Sequence, residues 1–198
     1  MTITQELPQI EQHPLEPFLP PGGCLLMLGS FPPQRKRWCM DFYYPNIAND
    51  MWRLIGLLFF DDALHFVDVQ HKTYRKDAII EFLNAKGIAI YDTASAVRRL
   101  QDNASDKFLE VVTPTDVEAL LERMPQCHSI VTTGQKATDT ICNRYGITQP
   151  KIGFSSEFYL PRLDRHCRLY RMPSTSRAYP LSLQKKAESY KRMFDEVL

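Results

Sequence analysis

Four short apolar runs punctuate this chain, and each ends in a cluster of small, polar or hydroxyl-bearing residues. The first, Cys24-Leu25-Leu26-Met27-Leu28, runs into Gly29-Ser30-Phe31-Pro32-Pro33. The second, Ile88-Ala89-Ile90-Tyr91, ends at Asp92-Thr93-Ala94-Ser95, and the third, Ser129-Ile130-Val131-Thr132, at Thr133-Gly134-Gln135. The fourth, from Arg168 to Met172, ends at Pro173-Ser174-Thr175-Ser176-Arg177. Near-continuous apolar runs suit strands that are covered on both faces. Strands that alternate with helices predict a mostly parallel sheet flanked by helices. The expected fold is therefore α/β, a three-layer α/β/α sandwich around a central, mostly parallel four-stranded sheet. All four clusters then lie along one sheet edge, outside the carboxyl ends of the strands, where open α/β folds bind ligands.

The intervening segments support this. A helix is predicted from Asn49-Asp50, both good capping types, turning Met51, Trp52, Leu54, Ile55, Leu57 and Leu58 inward. A second runs from Arg75 to Ala85 and stops at Lys86-Gly87. Thr115-Asp116-Val117-Glu118 reads as a capping box opening a helix through Met124. Further helices follow Gln135 to Tyr145 and Leu181 to Val197. Residues 97–108 read as a polar loop, and residues 146–165 as irregular with a short strand or hairpin. Residues 1–23 carry Pro8, Pro14, Pro17, Pro20 and Pro21 and read as an extended N-terminal arm, with residues 24–198 as a single domain.

Several function classes lose support. No apolar run approaches membrane-spanning length, and residues 1–23 lack the basic-then-apolar pattern of a signal peptide. Five separated cysteines, none in a C-x-x-C pair, signal no metal site and fit a reducing cytoplasm. There is no G-x-G-x-x-G, no P-loop and no G-x-S-x-G elbow, so no cofactor is expected. The five histidines show no ligand spacing and read as surface or satisfied core groups. An esterase built on Ser174 lacks His and Asp partners in a recognisable order.

Charge is uneven although the net value is only +1. Between Arg162 and Arg192 nine Lys or Arg face two acids, and Arg35-Lys36-Arg37 forms a second knot. The cations of the last predicted helix read as a solvated face, whereas those beside the last and first clusters read either as ordinary surface or as a footprint for phosphates. Between them lies Tyr43-Tyr44-Pro45-Asn46-Ile47-Ala48-Asn49-Asp50-Met51-Trp52. Aromatic faces stack on nucleobases and amides read base edges. Core packing of Tyr43 and simple capping by Asn49 would also account for these residues.

Gly29-Ser30-Phe31-Pro32, followed by Tyr43-Tyr44 and then Asn49 and Trp52, resembles the first motif of the uracil-DNA glycosylase superfamily. The nearest branch is the hypoxanthine-DNA glycosylase (DNA-deoxyinosine glycosylase) group, followed by the mismatch-specific uracil glycosylases. Pro173-Ser174-Thr175-Ser176 resembles the second motif of that branch. Gly87 to Asp92, Ser105-Asp106 and Thr133-Gly134-Gln135-Lys136-Ala137 resemble its middle segments in order, so the likeness spans roughly residues 24–180.

The resemblance implies a monofunctional DNA glycosylase of base excision repair, a cytoplasmic monomer without cofactor or metal, acting on DNA that carries a deaminated base. Asn49 takes the place of the catalytic amide. Gly29, Ser30, Phe31, Tyr44 and Asp92 take places around the flipped base, with Tyr44 stacking on it. Gly134, Gln135, Ser174, Thr175, Ser176 and Arg177 take places along the DNA backbone, where Arg177 or Tyr179 enters the gap in the stack. Phe31 stands where many members carry a water-activating Asn or Asp, Met172 where many have His, and Arg177 where the branch usually has Pro. The alternative is a catalytically weak or inactive DNA-binding module that keeps the fold. If active, the chain would rely on preorganised electrostatics around an oxocarbenium-like sugar, because an amide is a poor base.

Overall fold

The structure, a computed structural model, describes residues 8–101 and 106–198. Strands β1 (Ile10–Gln12) and β2 (Leu25–Gly29) precede helix α1 (Met51–Phe60). A small ribbon, β3 (Val67–Asp68) with β4 (Thr73–Tyr74), leads to α2 (Lys76–Lys86) and β5 (Ile88–Asp92). Then come β6 (Ala94–Arg99), β7 (Leu109–Pro114), α3 (Val117–Glu122), β8 (Ser129–Thr133) and α4 (Gln135–Tyr145). The chain ends with β9 (Phe154–Leu160), β10 (Arg165–Met172) and α5 (Leu183–Val197).

The main sheet has order β5-β2-β8-β10-β9. The four expected strands, β2, β5, β8 and β10, pair in parallel, and β9 joins the edge antiparallel to β10. The sheet thus has five strands rather than four, because the short strand or hairpin expected within 146–165 joins its edge as β9. β2 is buried throughout, as a strand covered on both faces must be. The chain passes from β2 out to β5, then crosses back to β8 and on to β10. Right-handed crossovers in opposite directions put α1 and α2 on one face and α3 and α4 on the other. Helix α5 packs against α1. The reversal falls between β2 and β8, so their carboxyl ends open a crevice at the switch point.

Two expectations need correction. The stretch 97–108 is not simply a loop: β6 reaches Arg99 and pairs with β7 in a second sheet of order β1-β6-β7. Helix α3 is capped by Asp116, whose carboxylate accepts from Ala119 N–H at 3.2 Å. Thr115 instead donates its hydroxyl to the Asp92 carbonyl at 2.7 Å. The remaining helices keep their expected positions within two residues, and Gly87 ends α2 with φ of 65°, a left-handed cap.

The arm lies on the domain over its described part. β1 pairs antiparallel with β6, and Phe18 exchanges backbone hydrogen bonds with Ile90 at 3.0 and 2.9 Å. The arm therefore occupies the free side of β5, a sheet edge that would otherwise expose unpaired backbone groups. Among the described residues no helix is long and apolar enough to cross a membrane.

Candidate functional site

The crevice at the switch point holds a pocket of about 150 Å³. A cavity of about this size in another protein accepts a benzene ring, so the pocket is of the size that takes a flat aromatic group. Its walls come from the ends of β2, β5 and β8, the Tyr43–Asn49 loop and the Ser174–Ser176 loop. Gly29 closes the floor. A side chain there would collide with Asp92 Oδ1, so only glycine lets the end of β5 approach β2 this closely.

Tyr44 enters the pocket from a strained backbone, with φ of 49°. Its hydroxyl shares a hydrogen bond with Thr133 at 2.9 Å, and its ring meets Trp52 edge-on at 6.0 Å. Burial pushes the Tyr44 phenol well above its ordinary range. Trp52 donates to the Tyr43 carbonyl at 3.0 Å, fixing the turn from beneath. Tyr43 packs in the core, and its hydroxyl donates to the Glu16 carbonyl of the arm at 2.8 Å.

Asn49 does two jobs. Its Oδ1 accepts from Met51 N–H at 2.8 Å, at the start of α1. A backbone N–H can only donate, so the amide orientation is fixed by chemistry. The Nδ2 amine has no partner among the described residues, and Asn49 lines the pocket. The unpaired donor thus belongs to a residue of the pocket wall. The neighbouring Asp50 carboxylate clasps the Ser174–Ser176 side of the site. It accepts from Lys186 Nζ and from Arg177 Nε, both at 3.0 Å, while Asp50 N–H donates to the Thr175 carbonyl at 2.8 Å. Lys186 is fully buried and also donates to the Ser176 carbonyl at 2.8 Å.

The opposite wall is acidic. Ser30 donates its hydroxyl to Asp106 Oδ2 at 2.7 Å, and burial raises the Asp106 carboxyl above its ordinary range. Asp92 Oδ2 lies 2.8 Å from Nε2 of His13, a residue of the arm. Arg99 joins the same wall: it pairs with Glu11 at 2.9 Å, donates to the Pro32 carbonyl, and places its guanidinium 5.6 Å from the Phe31 ring centre. Phe31 is buried against Ala94, Val97 and Leu109, which makes it a packing residue by its side chain.

A wider groove of about 860 Å³ adjoins the pocket and shares Asp106, Ser174 and Ser176 with it. Gly134 and Gln135 line this groove at the start of α4, with Lys136 and Arg171. The Gln135 side chain is tied to Asp139, Gln149 and Arg171, so what it offers the groove is the helix start itself. Ser174 Oγ accepts from Ser176 N–H, and Ser176 Oγ from Ala178 N–H, both at 3.2 Å. Each hydroxyl hydrogen is left to donate outward, which suits a phosphate oxygen. Thr175 is buried.

Nine of the residues singled out in sequence thus meet in one pocket: Gly29, Ser30, Phe31, Tyr44, Asn49, Asp92, Ser174, Thr175 and Ser176. Gly134 and Gln135 lie in the adjoining groove. Arg177 lines neither and is engaged by Asp50. Ser105 lies outside the described residues. His13 read in sequence only as a surface or satisfied core group and Arg99 only as part of a polar loop, while Thr133 and Asp106 were noted without a role. The only hint at Asp106 was its place in the resemblance. Among the described residues no cluster of His, Cys, Asp and Glu could hold a metal ion.

No family model matches the chain, and no curated protein matches it. A solved structure does. A Methanosarcina acetivorans protein, solved by solution NMR and named "putative uracil DNA glycosylase", aligns with a TM-score of 0.59 at 20% identity, covering 94% of this chain and 99% of that one. The two chains share a fold. The likeness extends over the five-stranded, mostly parallel sheet and its helices, and so over the scaffold that brings the pocket together.

Proposed function

We propose that this protein is a monofunctional DNA glycosylase of the uracil-DNA glycosylase superfamily. It hydrolyses the N-glycosidic bond of a deaminated base, hypoxanthine or uracil, flipped out of DNA, and works as a monomer in the cytoplasm. The observation that carries the reading is Asn49: a residue with an unpartnered amide donor lines a pocket of aromatic-ring size whose wall includes Tyr44. A flipped base seated on Tyr44 receives the Nδ2 hydrogen bond at an acceptor atom. When the bond from C1′ to the base nitrogen breaks, its electron pair goes to the base, and the amide donor stabilises that charge. The donor is preorganised, because Met51 N–H already holds the other end of the amide. The Ser174 and Ser176 hydroxyls and the start of α4 receive the flanking phosphates, leaving the base displaced into the pocket.

The competing reading is a binding module without turnover, favoured by the buried, apolar Phe31 and Met172. Duplexes and single strands carrying one hypoxanthine or one uracil, incubated with the protein and then cleaved with alkali, separate the two. The enzyme reading expects strand scission, and a loss of roughly 10²–10³ in single-turnover rate for Asn49→Ala, the scale for removing one preorganised donor, with binding retained. Salt-dependent binding of lesion DNA without any scission by the wild type would leave the module reading standing.

A further inference from the structure

The N-terminal arm reaches a pocket-lining residue through His13. His13 is almost fully enclosed, its side chain 2% exposed, between Phe31 at 5.2 Å and Tyr91 at 4.5 Å between ring centres. Its Nε2 meets Asp92 Oδ2 at 2.8 Å, and its Nδ1 lies 3.1 Å from Leu15 N and 2.8 Å from Leu15 O. Facing an ionised carboxylate, Nε2 must carry a proton. In the neutral ring Nδ1 then accepts from Leu15 N–H, and in the imidazolium it donates to Leu15 O. In either state Nε2–H donates to Asp92, so only one carboxylate oxygen is consumed.

The other oxygen, Asp92 Oδ1, sits against Gly29 and has no partner among the described residues. Asp92 is one of the pocket-lining residues although it is only 7% exposed overall. A nearly buried, unpaired carboxylate oxygen on a residue that lines a cavity is a strong acceptor held in place. It is backed by a histidine supported from its far side, the arrangement in which one group orients another that does proton transfer. Phe31, whose ring packs on His13, leaves the adjacent position unable to supply such an acceptor.

We propose that Asp92 accepts the proton of the attacking water and that His13 is the positioning residue that holds Asp92 for this task. The inference rests on the glycosylase reading above. In the step, the bond from C1′ to the base nitrogen breaks and its electron pair leaves with the base. The water oxygen bonds to C1′, and one water proton passes to Asp92 Oδ1. That proton then returns through solvent to the base anion, so the products are the free base and an abasic sugar and Asp92 is regenerated. The arm thereby becomes part of the working site.

The test measures single-turnover excision rate, affinity for lesion-bearing duplex and thermal unfolding for the wild type and for Asp92→Asn, His13→Ala and His13→Gln. Glutamine places an N–H donor where Nε2 stands. The proposal expects a rate loss of about 10² or more for Asp92→Asn and about tenfold for His13→Ala, with affinity kept, and recovery to within about threefold for His13→Gln. An active wild type whose His13→Ala rate is unchanged overturns the inference while sparing the glycosylase reading. So does an Asp92→Asn variant that loses lesion affinity but not rate, because Asp92 then reads the base. If His13→Ala and His13→Gln lose rate equally and in step with lost thermal stability, His13 is structural only and the inference is overturned. A wild type that releases no base from any lesion overturns both.

Discussion

Asp106 is where a single titration should be visible. Burial raises its carboxyl above the ordinary 3.8, with Ser30 as hydrogen-bond donor and Arg99 and Lys136 as opposing influences. A raised folded value means the native state holds the proton more tightly than the unfolded chain. The stabilising contribution is complete below the ordinary value and is lost as pH rises through the folded value. Asp106→Asn keeps an acceptor for Ser30 and carries no charge. The variant should therefore be more stable than wild type near pH 7, with the difference gone near about pH 3. Urea midpoints at the two pH values measure this. A wild type that is the more stable one near neutrality would mean that Arg99 and Lys136 outweigh desolvation. Residues of this kind were hard to read in sequence, because Asp106 meets Ser30 across 76 positions and His13 meets Asp92 across 79. Tyr44 and Asn49 were legible because their spacing is local and couples an aromatic to a helix start.

At the scale of elements, α5 is fastened to the site by one buried charge. Lys186 projects from α5 with no exposure and reaches both Asp50, beside the start of α1, and the Ser176 carbonyl. Removing one partner of a buried pair leaves the other uncompensated, at about 3–5 kcal/mol. Lys186→Met should cost an amount of that order, somewhat relieved by Arg177, which still reaches Asp50. The Ser174–Ser176 loop should loosen at the same time. Urea unfolding gives the first effect, and faster hydrogen exchange at Ser176 and Ala178 gives the second. An unchanged unfolding midpoint would show that the clasp contributes nothing net. The cations of α5 read in sequence as a solvated face, and Lys186 is the exception that periodicity alone could not mark. The parallel strands were legible because complete burial leaves a continuous apolar run. β6 was not, because register shifts after Ala94 and Ala96 break its two-residue alternation and leave Arg98-Arg99 at its end. For β9, the short strand or hairpin expected within 146–165 is there, but its place in the main sheet was not legible, since an edge strand with one covered face carries Ser155, Ser156 and Glu157 in sequence.

The whole molecule has almost no net charge, so attraction to DNA must come from where the cations sit. One exposed knot, Arg35–Arg37, follows the first cluster, with Arg35 paired to Asp41 at 2.8 Å. Lys136 and Arg171 line the groove beside the pocket, and Arg171 is partly committed to the Pro150 carbonyl and the Gln135 side chain. Lys136, in the first turn of α4, is therefore the groove cation best placed to meet a phosphate near the Ser174–Ser176 hydroxyls. Each phosphate neutralised on duplex DNA contributes a slope of about −0.9 to log affinity against log salt. Lys136→Ala should weaken binding to lesion-bearing and undamaged duplex alike and flatten that slope by about one. Asn49→Ala, which touches no phosphate in this reading, should leave the slope where it was. Fluorescence anisotropy over a salt series measures both. An unaltered slope for Lys136→Ala would place the DNA path away from the groove and toward the Arg35–Arg37 side of the pocket, and the assignment of Gly134 and Gln135 to the backbone would fall with it.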